Sequence, residues 1–223
     1  MQAYVNYYDV SLQELKRIGD KKPRLLMHAC CGPCSCFPLT FLCPHFDVTI
    51  YYANSNIYPA EEFFRRREEL RRLLADLKRD YGYEVDLIEP PYDHEAFMEP
   101  LRPFASCKEG GERCFRCYEA RMKEAYDFAE TQGFDYFCTV MTISRQKDSQ
   151  ILNAIGKKLE ASHPHCRYFY SDFKKKGGIE LGKAMRVAYG LYNQDYCGCE
   201  YSLAGRNVRI AAKKSLEKEH GKE

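Results

Sequence analysis

Nowhere does this 223-residue chain hold a run of apolar residues long enough to span a bilayer. Its first segment, Met1 to Gly19, has neither an apolar signal core nor a small-residue cleavage site, so a cytoplasmic protein without a membrane partner is expected. Excess charge is also missing. A formal net charge of only +2 excludes a protein coated in basic residues, and a nucleic-acid partner would have to be met by a local patch. The absence of internal repeats and low-complexity stretches excludes repeat architectures. With 45% hydrophobic and 30% charged residues, a sizeable core is possible and long disorder is not expected. One domain over residues 1–223 suits the length, with 1–20 as an N-terminal extension and 206–223 as a charged tail.

What the chain does hold is cysteine, 12 in all. In a reducing compartment these are poor disulfide staples, so metal binding or redox chemistry is the better reading. Cys43, Cys138 and Cys166 stand singly in apolar or aromatic surroundings and read as small core hydrophobes. The others come in close groups: Cys30-Cys31-x-x-Cys34-x-Cys36, Cys107 with Cys114-x-x-Cys117, and Cys197-x-Cys199.

Apolar and β-branched runs predict strands over Arg24–Ala29, Phe46–Ala53, Glu84–Ile88, Asp135–Val140 and Arg167–Tyr170. Between them, helices are predicted over Cys36–Cys43, Phe63–Asp80, Tyr118–Glu130, Ser149–Glu160 and Glu180–Leu191. Leu70, Leu73, Leu74 and Leu77 form one stripe at helical spacing, Pro59 suits the preceding helix start, and Gly133 suits a C-cap. Alternation of this kind implies an α/β, Rossmann-like parallel sheet with helices on both faces. The turn-rich stretch Pro100–Arg113 reads as a loop insertion that carries the chain into Cys114. Ligands of such sheets bind beyond the carboxyl ends of the strands. The first cysteine group, Asn54-Ser55-Asn56 and Thr142-Ile143-Ser144-Arg145 are all placed there.

Cys114-x-x-Cys117 opens a helix, where unpaired N–H groups and the dipole favour thiolate charge. Joined by the adjacent pair Cys30-Cys31, it supplies the four thiolates of a 4Fe-4S cluster or of structural zinc. Zinc sites usually space their ligands by two to four residues, so adjacency counts mildly against zinc; spacing alone leaves both open. Cys197-Gly198-Cys199 fits a redox dithiol, two ligands to a second metal, or plain loop thiols, and its glycine makes a tight ring feasible.

The segments HACCGPCS (28–35), NSNIYPAEEFFRR (54–66), RCFRCYEARM (113–122), FCTVMTIS (137–144) and DYCGCEYS (195–202) resemble, as an ordered set, the cobalamin-independent epoxyqueuosine reductases of the QueH family. The resemblance implies an α/β fold and reduction of epoxyqueuosine in tRNA to queuosine. It implies a 4Fe-4S cluster on Cys30, Cys31, Cys114 and Cys117, and a redox-active pair at Cys197 and Cys199. It also implies a further metal ion beside the cluster, with iron the candidate identity. In that family the position of Cys34 is Cys or Asp, which makes Cys34 the candidate ligand. Arg145-Gln146-Lys147-Asp148 departs from the tyrosine- and histidine-containing pattern of the family, and no role is carried onto it. The implied reaction takes two electrons and also needs an electron donor, which the sequence does not identify.

For the tRNA, two basic stretches are candidates. Arg65, Arg66, Arg67, Arg71 and Arg72 lie opposite the leucine stripe, but Glu68 and Glu69 interrupt them and a salt-bridged solvated face fits equally. Lys174-Lys175-Lys176 reads as an uncompensated, flexible run suited to phosphates. The segment from Arg206 onward reads as a helix with a frayed end. Tyr51, Tyr52 and Tyr58 flank the expected pocket, with core packing their commoner fate. His28 reads as a hydrogen-bonded core residue, and His163 and His165 as no metal site. A cluster-bearing tRNA sulfur-transfer enzyme and a zinc-stabilised RNA-binding module are the competing functions. The first needs a paired-glycine phosphate cradle; here Cys30-Cys31-Gly32-Pro33-Cys34-Ser35 lacks it, and Pro33 removes a backbone donor.

Overall fold

The computed structural model describes residues 4–220. Five strands, β1 (Arg24–His28), β2 (Asp47–Tyr51), β3 (Asp86–Ile88), β4 (Tyr136–Thr139) and β5 (Arg167–Tyr168), form one parallel sheet in the order β3-β2-β1-β4-β5. The central strand β1 pairs Arg24–His28 with Asp47–Tyr51 on one side and Leu25–His28 with Tyr136–Thr139 on the other. The order reverses between β1 and β4, so the crevice beyond their carboxyl ends is the fold's ligand position.

Successive side chains feed opposite faces, as the pleat requires. Leu25, Met27, Val48 and Ile50 pack beneath α1 (Tyr7–Ile18), α2 (Gly32–Leu42), α3 (Ala60–Tyr81) and α7 (Gly178–Ala188). Leu26 and Phe137 pack against α5 (Glu112–Thr131) and α6 (Ser149–Glu160) on the other face. α4 (His94–Met98) and a 3-10 turn over Glu99–Phe104 fill the expected insertion, and α8 (Glu200–His220) ends the described chain. Leu15 and Ile18 of α1 are buried in the core. Among the described residues, no helix is long and apolar enough to cross a membrane.

The departures from the sequence reading lie around the crevice. α2 starts at Gly32 rather than Cys36, because Pro33 falls in its first turn, where a missing N–H leaves no bond unmade. Cys34 and Cys36 are therefore helical. Gly32 is needed there: a Cβ would stand 2.8 Å from the Glu69 carbonyl oxygen, so only glycine lets α2 approach α3. α5 starts at Glu112 rather than Tyr118, and Cys114 and Cys117 fall in its first two turns, at the opening of a helix as expected. β4 stops at Thr139, whose hydroxyl accepts from Met141 N–H (3.2 Å) and turns the chain into a 3-10 turn over Val140–Ile143.

Candidate metal and dithiol centre

Cys30 leaves β1 directly, and Cys31 and Cys34 follow at the start of α2. The three Sγ atoms lie within 4.8 Å of one another, with Cys30 and Cys31 at 3.8 Å. Cys31 is fully buried and the other two half-buried. Gln194 covers the group, its Nε2 donating to Cys31 Sγ (2.8 Å) and reaching Cys34 Sγ at 3.6 Å. Its Oε1 is buried without a partner. Hydrogen bonds from Cys31 and Cys34 hold the Cys30 thiol well below its ordinary range, helped by Arg121 and Lys147. Burial pushes Cys31 up, and the neighbouring thiols push Cys34 up. Three sulfurs this close, one of them inclined to ionise, form a group that could hold a metal ion.

Cys114 and Cys117 stand outside that group. They line a narrow cavity of about 20 Å³ together with Cys197, Cys199 and Asn56, whose buried Oδ1 has no partner. Burial pushes Cys117 up to about 12, against the pull of Arg121. Arg113 fixes the approach: one of its nitrogens donates to the carbonyls of Ala105 (2.7 Å) and Cys107 (2.6 Å), and its guanidinium lies 4.1 Å from the Tyr201 ring centre. The Cys199 sulfur accepts from the Ser202 N–H (3.4 Å) at the start of α8. Burial pushes this thiol up, with Cys197 adding to the rise.

A larger cavity, about 270 Å³, is lined by Cys30, Cys34, Arg66, Lys147, Gln194 and Cys197 among others. Cys197 thus borders both cavities, sharing one with Cys30 and Cys34 and the other with Cys114 and Cys117. Three cations surround the sulfur. Arg121, 2% exposed, donates to Asn54 Oδ1 (2.5 Å). Burial opposes its charge, but Cys117, Cys30 and Cys197 outweigh that and hold it up. Lys147 is held up in the same way by Cys197, Tyr118 and Cys30. Arg66, 1% exposed, pairs with Glu62 (2.7 Å). Arg66 has Glu62 as its anion and Lys147 is only half-buried. A buried cation such as Arg121 is costly without negative charge beside it, so its place among clustered sulfur suits a group that carries such charge.

Several expectations need correcting. Arg66 belongs to no basic surface: it points inward. The lysine run is not uncompensated, because Lys174 pairs with Asp172 (3.1 Å) and donates to the Thr142 carbonyl (2.8 Å). Exposed Arg145 and Lys175 instead line a groove of about 540 Å³ that shares Gln146 and Lys147 with the larger cavity. Tyr51 and Tyr52 are core residues, and Tyr58 is 43% exposed against His94. His28 is a core residue as read, with Nδ1 2.9 Å from Thr139 Oγ1 and burial holding it down to about 3. His163 and His165 meet Asp127 and Glu130, and Cys43, Cys138 and Cys166 are buried singly. Arg121, Lys147 and Gln194 were not singled out by sequence reasoning. Arg121 lies four residues after Cys117 on α5, a spacing that puts both on one face.

A family model described as epoxyqueuosine reductase QueH matches residues 25–205 of this chain. The chain belongs to the QueH family. Named relatives agree over most of its length. The epoxyqueuosine reductase QueH of Streptococcus pyogenes serotype M1 is 34% identical over 206 residues, covering 91% of this chain and 80% of that protein. That of Staphylococcus aureus strain Mu50 is 36% identical over 189 residues, covering 84% and 78%. The QueH protein of Thermotoga maritima is 28% identical over 190 residues, 84% of this chain and 94% of its own. Both cavities described above lie within the QueH match, since their cysteines run from Cys30 to Cys199.

Proposed function

We propose that this protein reduces epoxyqueuosine in tRNA to queuosine. Cys30, Cys31, Cys114 and Cys117 hold a 4Fe-4S cluster, and Cys197 and Cys199 act as a redox dithiol. The observation that carries the reading is that Cys197 lines both cavities, one shared with thiols of β1–α2 and the other with those of α5. The donor set suits the cluster: four cysteines match its ligand count, and Arg66, Arg121 and Lys147 offset the negative charge of four thiolates. When bound, the cluster supplies electrons one at a time. Cys34 is the candidate ligand for an adjacent iron ion, which would supply Lewis acidity.

The chain's own groups balance the reaction. Converting an epoxide to an alkene removes its oxygen as water and consumes two electrons and two protons. Oxidation of the Cys197 and Cys199 thiols to a disulfide releases two of each. An external electron donor must then return two electrons and reopen the disulfide. The larger cavity, about 270 Å³, is the candidate pocket for the extruded base, since unstacked loop bases are the accessible ones in tRNA. Gln194 and Lys147 line it as hydrogen-bonding groups, and the groove with Arg145 and Lys175 continues from it toward the flanking phosphates.

The test is conversion of epoxyqueuosine-bearing tRNA by protein purified without oxygen and supplied with a chemical reductant. Mass spectrometry of the nucleosides should show queuosine, and the protein should be brown, with iron and acid-labile sulfide. Colourless protein with stoichiometric zinc and no queuosine would overturn the proposal.

A further inference from the structure

The segment from Tyr192 to Cys199 has no helix or strand of its own, yet three consecutive carbonyls in it are held by α3 and the turn before it. Arg66 Nη1 donates to the Cys197 carbonyl (3.0 Å) and Nη2 to that of Tyr196 (3.2 Å). The Tyr58 N–H donates to the Gly198 carbonyl at 2.8 Å, and the Tyr196 hydroxyl returns a bond to the Tyr58 carbonyl at 2.6 Å. Gly198 sits at φ +128, where an added Cβ would stand 3.0 Å from Arg66 Nη1. The guanidinium is itself fixed: Nε pairs with Glu62 at 2.7 Å, and Glu62 also accepts from the Tyr192 hydroxyl at 3.3 Å. Its planar fork meets two successive carbonyls through two separate nitrogens while the third holds Glu62, a spread that the single nitrogen of a lysine does not reproduce. Burying such a group is expensive unless each donor is used, and here every Arg66 nitrogen has an acceptor.

We infer that Arg66 is a positioning residue for the Cys197–Cys199 couple: by clamping the Tyr196 and Cys197 carbonyls it holds the Cys-Gly-Cys turn in its dithiol form. The inference rests on the redox role proposed for these two cysteines. The couple is two thiols going to one S–S bond, with release of two protons and two electrons to an oxidant, the epoxide in turnover or glutathione disulfide in the test. Both sulfurs are free thiols in the conformation that Arg66 clamps. Closing the tight Cys-Gly-Cys ring must reorient the peptide units that carry the Cys197 and Gly198 carbonyls. Contacts made on them in the dithiol geometry therefore weaken on closure, and the clamp favours the reduced form. Weakening it moves the couple toward disulfide. Gly198→Ala should act in the same direction, because its Cβ pushes against the same guanidinium.

The measurement is the dithiol–disulfide equilibrium of the intact protein in glutathione redox buffers, trapped by alkylation and read by mass at the peptide carrying Cys197 and Cys199. Arg66→Lys keeps the charge but not the fork; Glu62→Gln keeps the fork but loosens its seat. Arg66→Lys should shift the equilibrium constant toward disulfide by about tenfold, a potential about 30 mV more negative. Glu62→Gln should shift it the same way by less. A merely structural role would change unfolding but not this constant. Folded variants whose equilibrium matches the parent, or moves toward dithiol, overturn the inference and leave the redox role intact. A parent peptide that never forms the disulfide in any buffer overturns the redox role, and the inference falls with it. Should Arg66→Lys fail to fold, Glu62→Gln decides.

Discussion

Replacing Arg121 by Met separates the electrostatic role of the buried cations from their packing. The substitution keeps most of the stem volume and removes the guanidinium. Two oxygen acceptors lose a donor, with unequal consequences. The Ala53 carbonyl keeps the His28 ring nitrogen at 3.3 Å, so it stays satisfied. Asn54 Oδ1, 2.5 Å from Arg121 Nη2, is left unpaired in a residue that is 1% exposed. That orphaned acceptor, formerly in a charge-assisted bond, costs about 2 kcal/mol of unfolding free energy. The second effect is on the sulfur: the cation that faces Cys30, Cys117 and Cys197 is gone, and an anionic group between them is held less well. Iron release to a chelator should accelerate about tenfold, equivalent to about 1.4 kcal/mol. Urea unfolding and the timed loss of visible absorbance read the two effects separately. Tyr126→Phe on the same helix is the control. It loses the 2.7 Å bond to the Cys166 carbonyl and about 1 kcal/mol, and should release iron at the parent rate. Arg121→Met protein that is fully folded and holds iron as long as the parent would refute the reasoning.

Other outcomes follow from the same geometry. Cys30→Ala, Cys31→Ala, Cys114→Ala and Cys117→Ala should each lose the chromophore and the conversion of tRNA together, while Cys138→Ala, buried alone, should change stability only; a full iron complement in Cys114→Ala sinks the four-ligand set. Arg145, Lys175 and Lys176 replaced together by Ala should weaken tRNA binding and flatten the slope of log affinity against log salt by about two. Lys174→Ala should leave that slope alone. It should instead cost about 3 kcal/mol, because Asp172, 3% exposed, loses its cation; an unchanged stability would show the pair to be idle.

The sheet was legible because its strands are short apolar runs that fill both faces, and Ser149–Glu160 matched its helix at both ends. The cysteine spacing showed which thiols sit near strand ends and helix starts. Inward-pointing cations were harder to see. Arg66 stands inside a run of three arginines that reads as a charged surface. Yet Glu62, Arg66, Leu70, Leu73 and Leu77 share one buried face, so the leucine stripe extended backward would have taken it inside. Lys174 was misread for a related reason: its partner Asp172 is only two residues away, but burial of that carboxylate comes from tertiary packing. Gln194 lies in a segment without periodicity, and nothing in its neighbours signals that its amide reaches Cys31.

The central claim is a division of labour among the cysteines, and Cys197→Ser and Cys199→Ser test it most directly. Serine keeps nearly the same volume but forms no disulfide and is a poor thiolate substitute. The account predicts that both variants, purified without oxygen, keep the parent's iron, sulfide and visible spectrum yet fail to convert epoxyqueuosine tRNA over repeated turnovers. Loss of the cluster in either would mean that the pair ligates iron, and full repeated turnover in both would mean that the Cys-Gly-Cys turn carries no electrons; either result contradicts the account.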